Sequence, residues 1–301
     1  MKTITTGIIG IGRIGRIHAR TLSSCIPGSN VKTVSDVRTE GLRVFADSLN
    51  IPGITDDPEE ILRDPEIDAV IICSPTPTHA DLAMAAARAG KHIFCEKPID
   101  LDLEKIKKTI AVVHASGVRM QVGFNRRFDH NFHKVQQIAS SGELGQIHVV
   151  RITSRDPAPP PLAYIRQSGG LFLDMTIHDF DMAQYLAGSP VVEVYASAAV
   201  LVDPAIGEAG DIDTAVINLK FANGALGIIE NSRQAVYGYD QRVEVLGSLG
   251  AASAANDTPT TVQVSRADSV HSDKPLYFFL ERYMASFEEE MRQFIEAVRT
   301  G

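Results

Sequence analysis

In the stretch GGLFLDMTIHDFDMAQYL, residues 169 to 186, a carboxylate and an imidazole stand four residues apart, at Asp174 and His178. A histidine can take up and release a proton near neutral pH. An acidic side chain one helical turn away can orient the ring and stabilise its protonated form. The spacing therefore describes a base and its support. Read as one continuous helix at about 100° per residue, the segment places Asp174, His178, Asp181 and Tyr185 on one narrow stripe. Met175, Met182 and Leu186 flank the stripe on one side, Ile177 and Phe180 on the other, and only Asp179 stands apart. A surface helix has one broad polar face. A thin polar line between apolar margins instead predicts a helix that lines a cleft, because ionisable groups buried without partners are costly.

These residues do not read as a metal site, and no metal is expected. HDFD lacks the second histidine of an H-E-x-x-H motif. The three cysteines, Cys25, Cys73 and Cys95, form no CxxC or Cys/His ligand spacing.

A second constellation lies in the first half. Residues 3 to 9 (TITTGII) predict a buried strand, followed at once by Gly10-Ile11-Gly12-Arg13-Ile14-Gly15 and a helix from about Arg13 to Ser24. A G-x-G-x-x-G between a strand and a helix is the setting of a dinucleotide site. Gly10 permits the tight turn, Gly12 lets the backbone approach a pyrophosphate, and Gly15 lets helix and strand pack closely. The helix N-terminus adds positive potential. A second strand, VKTVS (31 to 35), ends at Asp36, placed to accept hydrogen bonds from the adenosine ribose. Asp36 would repel a 2′-phosphate, so NAD is expected over NADP, although Arg38 could reach such a phosphate. Further strands (69 to 73, 92 to 95, 118 to 122) alternate with helices (80 to 89, 103 to 116), which predicts a doubly wound parallel sheet. Ligands bind beyond the carboxyl ends of such strands. Ser74, Thr76 and His79 of SPTPTH fall there, as do Glu96 and Lys97 of Glu96-Lys97-Pro98. Pro98 restricts its neighbour, which makes Lys97 a candidate functional group.

After residue 122 the alternation stops. A helix (128 to 141), a strand (148 to 154), the Pro-rich loop DPAPPPL and the helix of residues 169 to 186 precede a run of β-strands, and a long helix (278 to 298) closes the chain. The expected division is an α/β Rossmann domain over residues 1–122 and an α+β domain over 123–301. The second carries a large, mostly antiparallel, open-faced sheet. Such a face needs a cover, so a homo-oligomer packed through this sheet, a homotetramer, is expected.

The 301 residues are 44% hydrophobic and 22% charged, with a net charge of −8. This is ordinary globular material, and the acidic balance argues against nucleic acid or an anionic membrane as partner. No apolar run reaches bilayer length and no secretory leader is apparent. A cytoplasmic protein is the expectation.

Taken in order, GIGRIG, Asp36, Glu96-Lys97-Pro98 and GGLFLDMTIHDFDM resemble the Gfo/Idh/MocA family of NAD(P)-dependent oxidoreductases over nearly the whole chain. Lys97 matches the family's EKP lysine, and Asp174 and His178 match its D-x-x-x-H pair. Residues 154 to 165, 231 to 248 and 271 to 283 are similar to the family's inositol 2-dehydrogenase branch. The resemblance implies oxidation of myo-inositol to 2-keto-myo-inositol with NAD as hydride acceptor. Lys97, Asp174 and His178 would be catalytic. Asn125, Arg127, Asp156 and Tyr237, with Tyr239, would be polar contacts for a polyol. The alternatives it leaves are a dehydrogenase for another inositol isomer or sugar, and a catalytically silent NAD(P)-binding regulator. Family members usually continue beyond the point where this chain stops, at Thr300-Gly301.

Overall fold

The structure, a computed structural model, describes residues 2–301 and divides into two compact units, 2–125 with Ser286–Gly301, and Arg126–Ala285.

In the first unit, strand β1 (Ile4–Ile9), helix α1 (Arg13–Ser24), β2 (Ser29–Ser35), α2 (Leu42–Asp47), β3 (Gly53–Thr55), α3 (Pro58–Arg63), β4 (Ala69–Ile72), α4 (His79–Arg88), β5 (His92–Cys95), α5 (Leu103–Ser116) and β6 (Met120–Val122) follow in order. The six strands are all parallel, in the order β3-β2-β1-β4-β5-β6. The AVII sequence of β4 explains its central place, since all four residues are buried. Successive side chains alternate between faces. Ala69 and Ile71 join Ile4, Ile8, Ala19 and Leu22 in one core, and Val70 and Ile72 join Ala83, Ala86 and Val113 in another.

In the second unit come α6 (His130–Ser141), β7 (Ile147–Arg155), α7 (Leu162–Ser168), α8 (Ile177–Ala187), β8 (Val191–Ala199), α9 (Pro204–Glu208), β9 (Thr214–Phe221), β10 (Leu226–Ser232), β11 (Asp240–Gly247), β12 (Gly250–Ala254), β13 (Gln263–Ser265), β14 (Val270–Ser272) and α10 (Phe279–Arg282). The main sheet has the order β12-β11-β7-β10-β9-β8 and is antiparallel except between β7 and β10. Strand β9 alternates strictly, with Ala215, Ile217, Leu219 and Phe221 buried. They pack with Phe132 and Val135 of α6 and Met182, Ala183 and Leu186 of α8. The opposite face exposes Tyr195, Val216, Leu226 and Leu246. β13 and β14 form a separate hairpin rather than extending this sheet.

Three expectations change. The closing helix is interrupted: α10 ends at Arg282, and a separate helix α11 spans Met284–Thr300. The expected domain division at 122/123, with all of 123–301 in the second domain, is corrected at its end. Met291, Phe294, Ile295 and Val298 of α11 complete the core around Ile4, Ile8 and Ile71, so residues 286–301 belong with the parallel sheet. Residues 169 to 186 are not one regular helix. Gly169 and Gly170 adopt positive φ (85° and 79°), and Phe172–Thr176 forms a π-helical turn before α8. Asp174 therefore lies on a wider turn than His178, a geometry that recurs where a helix serves a site.

Candidate active site

The glycine loop joining β1 to α1 is shaped partly by the chain and partly for something outside it. Gly10 has φ +92°, and a Cβ there would lie 2.4 Å from the Ser74 amide nitrogen. A Cβ on Gly15 would lie 1.9 Å from the Gly10 carbonyl oxygen. These two glycines are required by the fold's own packing. A Cβ on Gly12, by contrast, would meet nothing within 4 Å. The space beside Gly12 is open, at the start of a 12-residue helix with no side-chain cap and no acidic residue in its first turn. Exposed Arg13 and half-buried Ile14 complete that turn. Uncapped N–H groups beside open space are what a dinucleotide pyrophosphate needs, and the residues fit that group.

Asp36 accepts hydrogen bonds from the Ile11 amide (2.8 Å) and the Arg38 amide (3.0 Å), so it also braces the glycine loop. Each carboxylate oxygen keeps a second lone pair for a ribose hydroxyl. Ser74 Oγ lies 2.6 Å from Thr78 Oγ1, next to the short turn Thr76–Thr78. Buried His79 has Nε2 2.6 Å from the Ser74 carbonyl oxygen and Nδ1 2.8 Å from that of Pro98. It therefore ties the loop after β4 to the loop after β5, and its place is structural support for both. The Glu96 carboxylate turns to His18 Nε2, 2.9 Å away, whereas half-buried Lys97 stands one residue further along the same loop. Asn125, buried, opens the short turn Asn125–Phe128.

The second unit carries a cluster of charges on the helical side of its sheet. Because β7 and β10 run parallel with Ser232 opposite Arg155, the next residues, Arg233 and Asp156, leave the sheet side by side. Arg233 Nη1 lies 3.4 Å from Asp156 Oδ2 and 3.1 Å from Asp174 Oδ2. Tyr164 of α7 donates to Asp174 Oδ1 at 2.8 Å. Burial, helped by the charge of Asp174 and opposed by Arg233 and Arg126, holds the Asp156 carboxyl up at about 6. Asp156, Asp174 and Arg233 thus form one electrostatic unit, and His178 follows Asp174 by four residues at the start of α8.

Beneath it, a buried network locks α8 to the sheet. Arg126 Nη1 donates to Asp179 Oδ1 (2.5 Å) and Nη2 to Ser154 Oγ (3.2 Å). Asn231 Nδ2 donates to Asp179 Oδ2 (2.8 Å), and Thr176 Oγ1 to Asn231 Oδ1 (2.6 Å). Burial raises the Asp179 pKa against the pull of Arg126 and Asn231. Asp179 is thus a structural residue. A fully buried carboxylate of this kind persists only because paired donors meet it.

The remaining expected contacts lie within the same unit. Arg127 grips Asp181 with two hydrogen bonds (2.7 and 2.8 Å) and lies over the Tyr185 ring, 4.7 Å from its centroid. Tyr237 accepts from Arg155 and donates to Asp240, both at 2.6 Å. Tyr239 is the buried one; its hydroxyl is raised well above its ordinary value by burial, with Asp156 among the charges around it. Asp129, His130 and Asp257 come close enough together to resemble a cation site. Arg282 Nη1 sits between the two carboxylates, 2.8 Å from Asp257, and supplies that positive charge itself.

Sequence reading missed Arg233, Arg126 and Tyr164. Arg233 lies within the stretch 231 to 248 that carries the family resemblance, but nothing local marks it, because its partners are 59 and 77 residues away.

Residues 4–124 match an oxidoreductase family with an NAD-binding Rossmann fold, and residues 132–253 match the GFO/IDH/MocA C-terminal domain. The chain is 56% identical over 300 residues to the uncharacterized oxidoreductase YrbE of Bacillus subtilis, covering 100% of this chain and 88% of the relative. It is 52% identical over 295 residues to the myo-inositol 2-dehydrogenase of Thermotoga maritima, covering 98% and 88%. A crystal structure of scyllo-inositol dehydrogenase from Lactobacillus casei, with NAD(H) and scyllo-inositol bound, superposes with a TM-score of 0.91 at 31% identity, covering 99% of this chain and 90% of that one. An NAD-binding Rossmann unit followed by this C-terminal domain, matched in order along the chain, makes the protein a member of the Gfo/Idh/MocA family of oxidoreductases.

Proposed function

We propose that the protein is an inositol 2-dehydrogenase that oxidises myo-inositol to 2-keto-myo-inositol. The observation that carries this reading is the Asp156–Arg233–Asp174 cluster, with His178 four residues after Asp174. Oxidising a carbinol requires removal of the hydroxyl proton, and a ring hydroxyl is held by fixed polar partners. His178 is the base that takes this proton, worth roughly 10² to 10⁴ in rate. Asp174, held on both oxygens by Arg233 and Tyr164, is a rigid anion that supports the imidazolium so formed. Lys97 is assigned the reacting oxygen, where an ammonium group favours developing alkoxide. Bound NAD supplies the hydride acceptor. Asp36, with its carboxylate against the glycine loop, favours NAD over a cofactor carrying a 2′-phosphate.

The 52% identity to a myo-inositol 2-dehydrogenase supports the substrate. The likeness to a scyllo-inositol-bound structure supports a second reading, in which the preferred isomer is scyllo-inositol. The two isomers differ in the orientation of one hydroxyl, and one or two pocket contacts suffice to exchange such preferences. Comparing kcat/KM for NAD-dependent oxidation of myo-, scyllo- and D-chiro-inositol and glucose, followed at 340 nm, decides between them. Equal activity on glucose would remove the inositol assignment, and no activity on any polyol would favour an NAD-binding regulator.

The same reading includes a homo-oligomer, a tetramer. Its support is the open sheet face, where Tyr195, Val216, Leu226 and Leu246 alternate with the ion pairs Arg151–Glu244 (3.6 Å) and Lys220–Glu193 (2.8 Å). Among the described residues, no helix is long and apolar enough to cross a membrane.

A further inference from the structure

Arg233 is 2% exposed, and its side chain faces carboxylates from two separate segments. Asp156 follows β7, Asp174 lies on the π-helical turn, and both take the same nitrogen, Nη1. Tyr164 of α7 holds the other oxygen of Asp174. Arg126 and the Tyr239 hydroxyl are further groups that act on Asp156 or feel its charge. Two carboxylates this close cannot both remain ionised in a shielded site without a cation between them. With a proton on either, one oxygen becomes a hydrogen-bond donor and the carboxyl accepts fewer and weaker bonds from ligand hydroxyls.

Nε and Nη2 of Arg233 are buried and have no hydrogen-bond partner among the described residues. Buried charged donors are normally satisfied, so the guanidinium is not held in place by a full set of structural bonds. Its contacts are concentrated on the carboxylate pair.

We infer that Arg233 is a positioning residue that keeps Asp156 and Asp174 side by side as ionised acceptors for the hydroxyl groups of a polyol. It acts through the two carboxylates. The inference rests on the proposed polyol oxidation, and it explains why the pocket would select a ligand rich in hydroxyl donors over one bearing its own carboxylate.

The test is the pH profile of kcat/KM for the wild type, Arg233→Lys and Arg233→Met with myo-inositol and NAD. An opposite charge at this range lowers a carboxyl by about 1 to 3 pH units. Arg233→Met should therefore move the acid limb of the profile upward by at least one unit, with much of the lost activity recovered at high pH. Arg233→Lys should keep the limb near its wild-type position. In Arg233→Met/Asp156→Asn the displacement should shrink, because only one carboxylate remains. A loss in Arg233→Met that is the same at every pH would overturn the inference. So would an upward displacement in Arg233→Lys as large as in Arg233→Met. If Arg233→Met does not fold, Arg233→Gln takes its place. If the wild type oxidises no polyol, the proposed function fails first. The pairing is then read without substrate, from carboxyl ¹³C chemical shifts of Asp156 and Asp174 against pH in wild type and Arg233→Gln. Unmoved titration midpoints there would overturn the pairing itself.

Discussion

Replacing Asp156 with asparagine should make the protein more stable at neutral pH, and the gain should vanish in acid. Burial raises the Asp156 carboxyl from its ordinary 3.8 to about 6, Arg233 notwithstanding. Between those values the folded protein binds more protons than the unfolded chain, so the stability this group contributes is full below pH 3.8 and is lost as pH rises through 6. The difference of about 2 pH units corresponds to about 3 kcal/mol as an upper bound. Because 24% of the side chain stays accessible, solvent screening brings the expected figure to roughly 1–3 kcal/mol. Asparagine has the same shape, still offers an oxygen to Arg233, and carries no charge to desolvate. For a chain of this size that is a rise in Tm of roughly 2 to 5 °C at pH 7. Thermal unfolding followed by circular dichroism from pH 4 to pH 8, on both proteins, measures it. Two melting curves separated by a constant amount across that range would refute the reasoning, as would an asparagine variant less stable than wild type at pH 7. The variant should at the same time lose affinity for a polyol, since an amide accepts hydrogen bonds less strongly than a carboxylate.

His178→Ala should lower kcat by roughly 10² to 10⁴ while NAD binding, read by nicotinamide fluorescence or calorimetry, persists; near-normal turnover would remove His178 as the base. Asp36→Ser should increase the ratio of NADP to NAD use in kcat/KM, because the charge facing a 2′-phosphate is gone; an unchanged ratio would leave Asp36 only its bonds to the Ile11 and Arg38 amides. Light scattering at micromolar concentration should find an oligomer, and Leu226→Asp on the open sheet face should weaken it. A monomeric wild type would sink that prediction.

Residues that act through their immediate neighbours were legible in the chain alone. Gly10, Gly12 and Gly15 follow from what a strand-to-helix turn allows its backbone, and Asp36 from the length of one βα unit. The four buried residues of β4 announce a central parallel strand by composition. Asp174 and His178 are close because they are four apart, although the π-helical turn that offsets them was not visible, since Phe172–Thr176 reads as ordinary helix. What tertiary structure decided is partnership over distance. The amphipathic stripe of α11 is plain in the sequence, but nothing in it says that Phe294 and Val298 join Ile4 and Ile71. The pairing of Arg233 with Asp156 exists only because β10 lies beside β7 in a particular register, with Ser232 opposite Arg155. The register is set by burying Ile229, Val150 and Ile152 against α6 and α8, and a slip of one residue would turn those side chains to solvent. Hydrophobic burial thus decides which charges meet, and the chemistry of the cluster follows from a choice no local segment contains.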